Sequence, residues 1–269
     1  MSYDHKIIVF TDIHITEVGK TIIGLDPMER FLRGMAHALE HHPDAARIVV
    51  TGDLAHHGKP EEYDRLKQAL EGCPMPVSLM LGNHDRRATF LETFDDVPRT
   101  DGGFVQSYAD LGDWRLVMLD TLDEEAPIEH SGLLCEERLE WMSAALGGAG
   151  DRKRILFTHH PTFVTGFGSM DEIGLRNRDE LRNRLQRHPN IRQIISGHVH
   201  RTISSETAGI PSAVFKSPCH QMPMLLGDAG SSHSSVDEPG AYGILLLREE
   251  GVVVHSEDFE LADGSFQDF

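Results

Sequence analysis

The sequence predicts an α/β protein in which sheets are layered with helices and the C-terminal part adds antiparallel strands. Three features predict it. Short β-branched apolar runs alternate with segments of helical periodicity as far as residue 200. Five of those strand-like runs end in Asp, Asn or His. Beyond residue 200, strand-like runs follow one another with no helical segment between them.

Lys6-Ile7-Ile8-Val9-Phe10 reads as the first strand and runs into Thr11-Asp12-Ile13-His14. Asp12 and His14 are two apart, so an extended backbone points both side chains to one side. After a loop with Gly19 and Gly24, Asp26-Pro27-Met28-Glu29 is a helix start: Asp as N-cap, Pro in the first helical position, Glu in the third. Met28, Phe31, Leu32, Met35 and Leu39 recur at helical spacing before Pro43 and predict a core-facing stripe.

Arg47-Ile48-Val49-Val50-Thr51-Gly52-Asp53 is a buried strand closed by Gly52. It leaves Asp53 where open α/β sheets place their ligands. Leu54-Ala55-His56-His57-Gly58 follows, and a helix opening at Pro60-Glu61-Glu62 turns Tyr63, Leu66 and Leu70 inward. Residues 76–81 form a strand that ends in Gly82-Asn83-His84-Asp85, and 115–120 form another. Residues 136–146 are helical, and strand 154–158 leads into His159-His160-Pro161. A helix near 178–187 precedes strand 192–196, which ends in Gly197-His198-Val199-His200. Strands 210–216, 242–248 and 252–255 flank a Gly/Ser-rich loop at 227–240. No linker or repeat divides the chain, so residues 1–269 are expected to form one domain, with 201–250 reaching outward to a partner.

Composition bounds the partners. The chain of 269 residues is 39% hydrophobic and 25% charged, ordinary values for a globular protein. Its net charge of −18 argues against long nucleic acid as a ligand. No run approaches the ~18 consecutive apolar residues of a membrane span. The N-terminus moves directly into a strand without the basic and apolar stretches of a signal peptide, which points to the cytoplasm. Cys73, Cys135 and Cys219 are too few and scattered for a disulfide framework or a thiolate zinc site.

The strand ends collect Asp12, His14, Asp53, Asn83, His159, His198 and His200. Carboxylates bridge cations, and imidazole suits zinc, iron and neighbouring first-row metals. One such histidine would be an ordinary core or surface residue. Seven such residues at five strand ends exceed the compact four-ligand cage of a structural metal site and suit two ions sharing a bridging group.

Asp12-x-His14, Gly52-Asp53, Gly82-Asn83-His84-Asp85, His159-His160-Pro161 and Gly197-His198-Val199-His200 resemble, in order, the signature blocks of the calcineurin-like metallophosphoesterases. The resemblance runs from about residue 5 to residue 200. Gly58-Lys59-Pro60-Glu61-Glu62-Tyr63 and Cys219-His220-Gln221-Met222-Pro223 make the chain most similar to the class III cyclic-nucleotide phosphodiesterases and the bacterial glycerophosphodiesterases. The family resemblance implies a layered β-sandwich flanked by helices and two divalent ions per chain, drawn from Fe, Mn, Zn or Co. It assigns Asp12, His14 and His200 to one ion, Asn83, His159 and His198 to the other, and Asp53 to both. His84 resembles the family's catalytic histidine outside the ligand set, and Asp85 either orients it or holds its loop. Asn83, His84 and His220 are the implied substrate-binding residues, with a plain loop histidine as the alternative for His220. His160 is read as a brace rather than a ligand, and His56 and His57 as exposed loop histidines, with a place near the site as the alternative.

The implied reaction is in-line hydrolysis of a small phosphodiester by a hydroxide bridging two ions ~3.5–4 Å apart, with His84 protonating the leaving oxygen. The alternatives are a phosphomonoesterase, a nuclease, or a non-catalytic metal-binding module, although no ligand block is broken. The segment 162–176, with Phe163, Phe167 and Met170, is expected either to wall the site or to serve packing or dimer contacts. The resemblance also implies a homodimer or higher homo-oligomer.

Overall fold

In the computed structural model, which describes residues 4–260, β1 (His5–Phe10) is buried on both faces. Ile8 and Phe10 point to one side, Ile7 and Val9 to the other. A strand apolar on both faces must be covered twice, which is why its sequence is a continuous apolar run. β1 lies at the centre of a five-stranded sheet. β2 (Arg47–Val50) pairs with it in parallel, and β3 (Val77–Leu79) extends that edge. On the other side β10 (Ala241–Leu247) runs antiparallel to β1, followed by β11 (Val252–Asp258).

The second sheet has six strands. β5 (Trp114–Met118), β6 (Lys153–Phe157), β7 (Ile191–Ser196) and β9 (Ile210–Val214) are parallel, and β4 (Ser107–Leu111) and β8 (Ile203–Thr207) close its edges antiparallel. The sheets pack face to face through Ile7, Val9 and Val49 against Leu116, Ile155, Phe157 and Ile195. α1 (Pro27–His41) and α2 (Pro60–Leu70) cover the outer face of the first sheet, and the short α3 (Arg87–Thr93) packs beside α2. α4 (Glu136–Gly147) and α6 (Arg178–Leu185) cover the second sheet. The expected helix-flanked sandwich is the observed architecture, in four layers.

Local chemistry starts the helices where the sequence places them. Asp26 caps α1 by accepting from the Met28 and Glu29 amides at 2.9 and 3.3 Å, with Pro27 in the first turn. Phe31 then meets Phe10 edge-to-face at 5.5 Å, a geometry worth ~0.5–1.5 kcal/mol beyond the area buried. Leu32, expected in the stripe, is exposed; Met28, Phe31, Met35 and Ala38 already fill the face toward the sheet, and Leu32 falls outside it.

Of the C-terminal strands, β8, β10 and β11 run antiparallel to their neighbours, as expected, while β9 is parallel to β7. Residues 201–250 supply β8 and β9 to one sheet and β10 to the other, because the apolar run of β10 is buried between β1 and β11. Of these C-terminal strands β8 and β11 are sheet edges, opposite β4 and β3. Residues 1–3 and 261–269 of the expected domain lie outside the described residues.

Candidate active site

The parallel strands β1, β2, β3, β6 and β7 deliver the seven collected residues to one end of the sandwich. Five of them, Asp12 (φ 54°), His14 (46°), Asp53 (49°), His198 (72°) and His200 (52°), have left-handed backbones. Each such residue costs about 1–3 kcal/mol and persists only where its surroundings hold it. Here the loops after β1 and β2 are zipped together: Asp12 N–H donates to the Gly52 carbonyl at 3.0 Å and His14 N–H to the Asp53 carbonyl at 2.9 Å. The glycines before the ligands let the loops close. A Cβ on Gly82 would sit 2.2 Å from Asp53 Oδ1, and one on Gly52 would sit 2.7 Å from His159 Nδ1.

The donor atoms converge in two groups. His14 Nε2 is 3.1 Å from His200 Nε2, which is 3.4 Å from Asp12 Oδ1. His159 Nε2 is 3.0 Å from Asn83 Oδ1. Asp53 Oδ2 lies between the groups, 3.6 Å from His14 Nε2 and 3.5 Å from His159 Nε2. Outer partners aim the rings: His159 Nδ1 is 3.1 Å from the Thr51 carbonyl, and His200 Nδ1 donates to the His220 carbonyl at 2.8 Å, freeing each Nε2.

The set fits divalent cations. His198 Nε2 is buried without a hydrogen-bond partner, a costly arrangement for a polar atom that a metal ion would relieve. Burial, reinforced by His84 for His14 and by His160 for His198, holds both imidazoles far below the usual histidine range, so they are neutral and ready to ligate. Burial opposes charge on His159 too, but the adjacent Asp53 carboxylate outweighs it and raises His159 to about 9. Burial likewise opposes charge on Asp53, and His159 and His84 outweigh it to hold the carboxyl well below its usual range.

The remaining expected residues separate. His84 donates its backbone N–H to Asp53 Oδ1 at 2.8 Å and its Nδ1–H to the His56 carbonyl at 2.8 Å. Asp85 does not touch that ring. Its carboxylate accepts from the amides of Leu54, Ala55 and Gly82 and from the Tyr63 hydroxyl, so of its two offices it performs loop-holding. His160 uses both ring nitrogens, on the Thr121 hydroxyl and the His130 carbonyl, and braces the loop. His220 is buried beside His14 and His200 with Nδ1 unpartnered.

A pocket of about 300 Å³ opens over these residues. Beside the polar residues its lining includes the apolar Ile22, Ile23, Met170, Ile173 and Met222. Both readings of segment 162–176 hold in part. Met170, on α5 (Gly168–Glu172), faces the pocket, whereas Phe163 and Phe167 are buried in a cluster with Val199, Val214 and Met222. His57 is exposed beside Glu62, whereas half-buried His56 takes the alternative place near the site: it lines the pocket and stacks on His84, because the loop after β2 runs alongside the loop after β1. His130 also lines the pocket and was missed; it stands alone in an acidic loop, with no motif around it.

Fold and site together define a metal-dependent phosphoester hydrolase. Residues 5–202 match the calcineurin-like phosphoesterase family, and the chain belongs to it. A protein of Rhodopseudomonas palustris named as a probable cyclic nucleotide phosphodiesterase is 40% identical over 94% of this chain and 92% of its own length. The glycerophosphodiester phosphodiesterase GpdQ of Enterobacter lignolyticus is 31% identical over 70% of this chain and 66% of its own. A dimetal phosphatase from Danio rerio shares the fold at a TM-score of 0.72 and 14% identity, covering 96% of this chain and 97% of that one.

Proposed function

We propose that the pocket hydrolyses small phosphodiesters, cyclic nucleotides foremost, at a centre of two divalent ions. The observation that carries this reading is the position of Asp53 Oδ2, about equally distant from His14 and His159, one donor from each group. Asp12, His14 and His200 would hold one ion and Asn83, His159 and His198 the other, with Asp53 placed to serve both. The mixed imidazole and carboxylate donors suit Fe, Mn, Zn or Co. When bound, such ions acidify a water and polarise the phosphoryl oxygen.

The chain's own residues do the rest. The His56 carbonyl fixes the His84 ring through Nδ1–H, so the ring acts as the acid in its imidazolium form, giving its Nε2 proton to the departing oxygen and keeping the one on Nδ1. Asn83 and His220 contact the phosphate, and Asp85 keeps the His84 loop against the loop after β2. The apolar wall favours a diester with an organic group over a bare monoester, and suits a nucleobase better than glycerol. A glycerophosphodiester is the second reading, favoured by the 31%-identical relative's name. Three cysteines, none in a disulfide, fit the reducing cytoplasm.

Ile23 offers a way to test the wall. Ile22 and Leu25 exchange backbone hydrogen bonds at 2.9 and 2.8 Å around Ile23 (φ 45°) and Gly24 (φ 87°), a tight turn that favours Asn-Gly. A β-branched residue there is strained by about 1–2 kcal/mol, and Ile23 is also 52% exposed at the pocket mouth. Parent and Ile23→Asn should be assayed on 3′,5′-cAMP, 2′,3′-cAMP, glycerophosphodiesters and a monoester. The expected result is preference for a cyclic nucleotide in the parent. The variant should show a higher melting temperature and a higher KM for nucleotides. Fastest turnover of the monoester would overturn the diesterase reading, and an unchanged nucleotide KM the role of the wall.

Residues 1–269 act as one domain whose 201–250 part mediates self-association. Met224 and Leu226, each 60% exposed, and Val164 lie on two loops joined by the Gly227 N–H to Gly166 carbonyl bond of 2.7 Å. Exposed apolar side chains on adjacent loops beside an open edge strand favour a second copy. Light scattering at micromolar concentration should report at least a dimer; a monomer would count against it.

A further inference from the structure

Three imidazoles are stacked along one wall of the pocket. His84 is the shared ring: His56 lies 5.4 Å from it at an interplanar angle of 14°, and His130 lies 4.9 Å from it at 18°. His130 also reaches a proposed metal ligand. Its Nδ1 is 3.1 Å from Asn83 Nδ2, whose amide nitrogen only donates, so Nδ1 accepts and the ring proton sits on Nε2. The other end of that amide, Oδ1, faces His159 Nε2 at 3.0 Å. Turning the amide over would aim its N–H groups into the donor cluster, where a cation needs an oxygen, and would set its oxygen against Nδ1, a contact kept only if the ring proton moves there from Nε2.

His130 is itself held in place. Its backbone is left-handed (φ 68°), and its carbonyl accepts from His160 Nε2 at 3.0 Å. His160 Nδ1 in turn accepts from the Thr121 hydroxyl at 2.8 Å, which fixes the ring's tautomer. Gly132 lies flat against the same ring, where a Cβ would come within 2.4 Å of Nδ1. The ligand His159 and its neighbour His160 therefore fix both sides of one arrangement: one meets Asn83 Oδ1, and the other sets the residue that receives Asn83 Nδ2.

We propose that His130 is a positioning residue of the hydrolytic centre, selecting through Nδ1 the amide atom that Asn83 presents to the metal site and holding the His84 ring by stacking on it. This inference rests on the two-ion reading with His84 as acid.

The test uses the full chain, stripped of metal and titrated calorimetrically with Mn²⁺, as parent, His130→Ala and His130→Asn. Asn keeps an acceptor near the place of Nδ1 and tolerates the left-handed backbone, but it removes the ring. The parent should bind Mn²⁺ in two steps. His130→Ala should weaken one of them by about 10–100-fold, the usual effect of losing a group that orients a metal ligand. His130→Asn should restore most of that affinity. In the loaded enzymes both variants should lose more rate on an alkyl diester than on a p-nitrophenyl diester, since both lack the ring that steadies the proton donor.

Parental Mn²⁺ affinity in His130→Ala, or equal losses in the two variants, would overturn the amide-selecting role. An unchanged ratio between the two leaving groups would overturn the stacking role. If the Ala chain does not fold, the Asn chain decides: near-parental affinity with a shifted ratio supports the proposal, and lost affinity with an unshifted ratio refutes it. A parent without two binding steps strikes the two-ion reading itself, and that result is visible before either variant is compared.

Discussion

Replacing Asp53 with alanine should lower turnover of every diester by more than ~100-fold, beyond what loss of an outer partner of a metal ligand typically causes. Its Oδ2 lies within 3.6 Å of a donor from each group, and its Oδ1 accepts from the His84 amide. Metal content should fall with activity, from close to two ions per chain in the active parent. Burial opposes charge on His159, and Asp53 is the largest of the carboxylates that raise it to about 9, so removing Asp53 shifts that imidazole toward the neutral form that ligates, and greater protonation of His159 is not the reason for the loss. Asp53→Asn separates charge from shape, since asparagine tolerates the left-handed backbone and still accepts from His84, yet bridges two cations poorly. It should keep the parent's fold by circular dichroism while losing metal. Full turnover by metal-free protein would end the two-ion reading, whatever the variants do.

Most of the residues that converge on Asp53 were legible because they close strands buried on both faces, and Asn83 follows the half-buried edge strand β3. Ile48-Val49-Val50 and Ile194-Ile195 announce such strands, and the glycine before the ligand marks where each one ends. The elements that escaped notice bury little. β4 is half exposed along its length, β8 buries only Thr207, and α3 buries only Phe90, so none carries an apolar period to read. The place of β10 was hidden for another reason. A strand's sequence records that both faces are covered and not which strand lies beside it, so its return to β1 could not be read locally. His56 and His130 were opaque in the same way. Their roles depend on rings brought together from three loops, and an isolated histidine in a polar loop looks the same whether it faces solvent or stacks on His84.

His84→Ala should separate substrates by leaving group. With the ring gone, hydrolysis of an alkyl or ribose diester should fall by ~10²–10⁴-fold, the usual contribution of a positioned acid, because an alkoxide departs slowly without a proton. A p-nitrophenyl diester should lose far less, since its leaving group departs readily as the anion. Metal content should stay near that of the parent. The geometry supports this separation: the side-chain Nδ1 is committed to the His56 carbonyl, and the bond from residue 84 to Asp53 comes from the backbone and survives the substitution. The rival readings give different patterns. His14, His56 and His84 also lie close enough together to share a cation, and a ligand role would appear as lost metal. A phosphate-positioning role would slow both substrates alike. Equal losses for the two leaving groups, with metal intact, would therefore remove His84 as the acid and leave the proton to come from water.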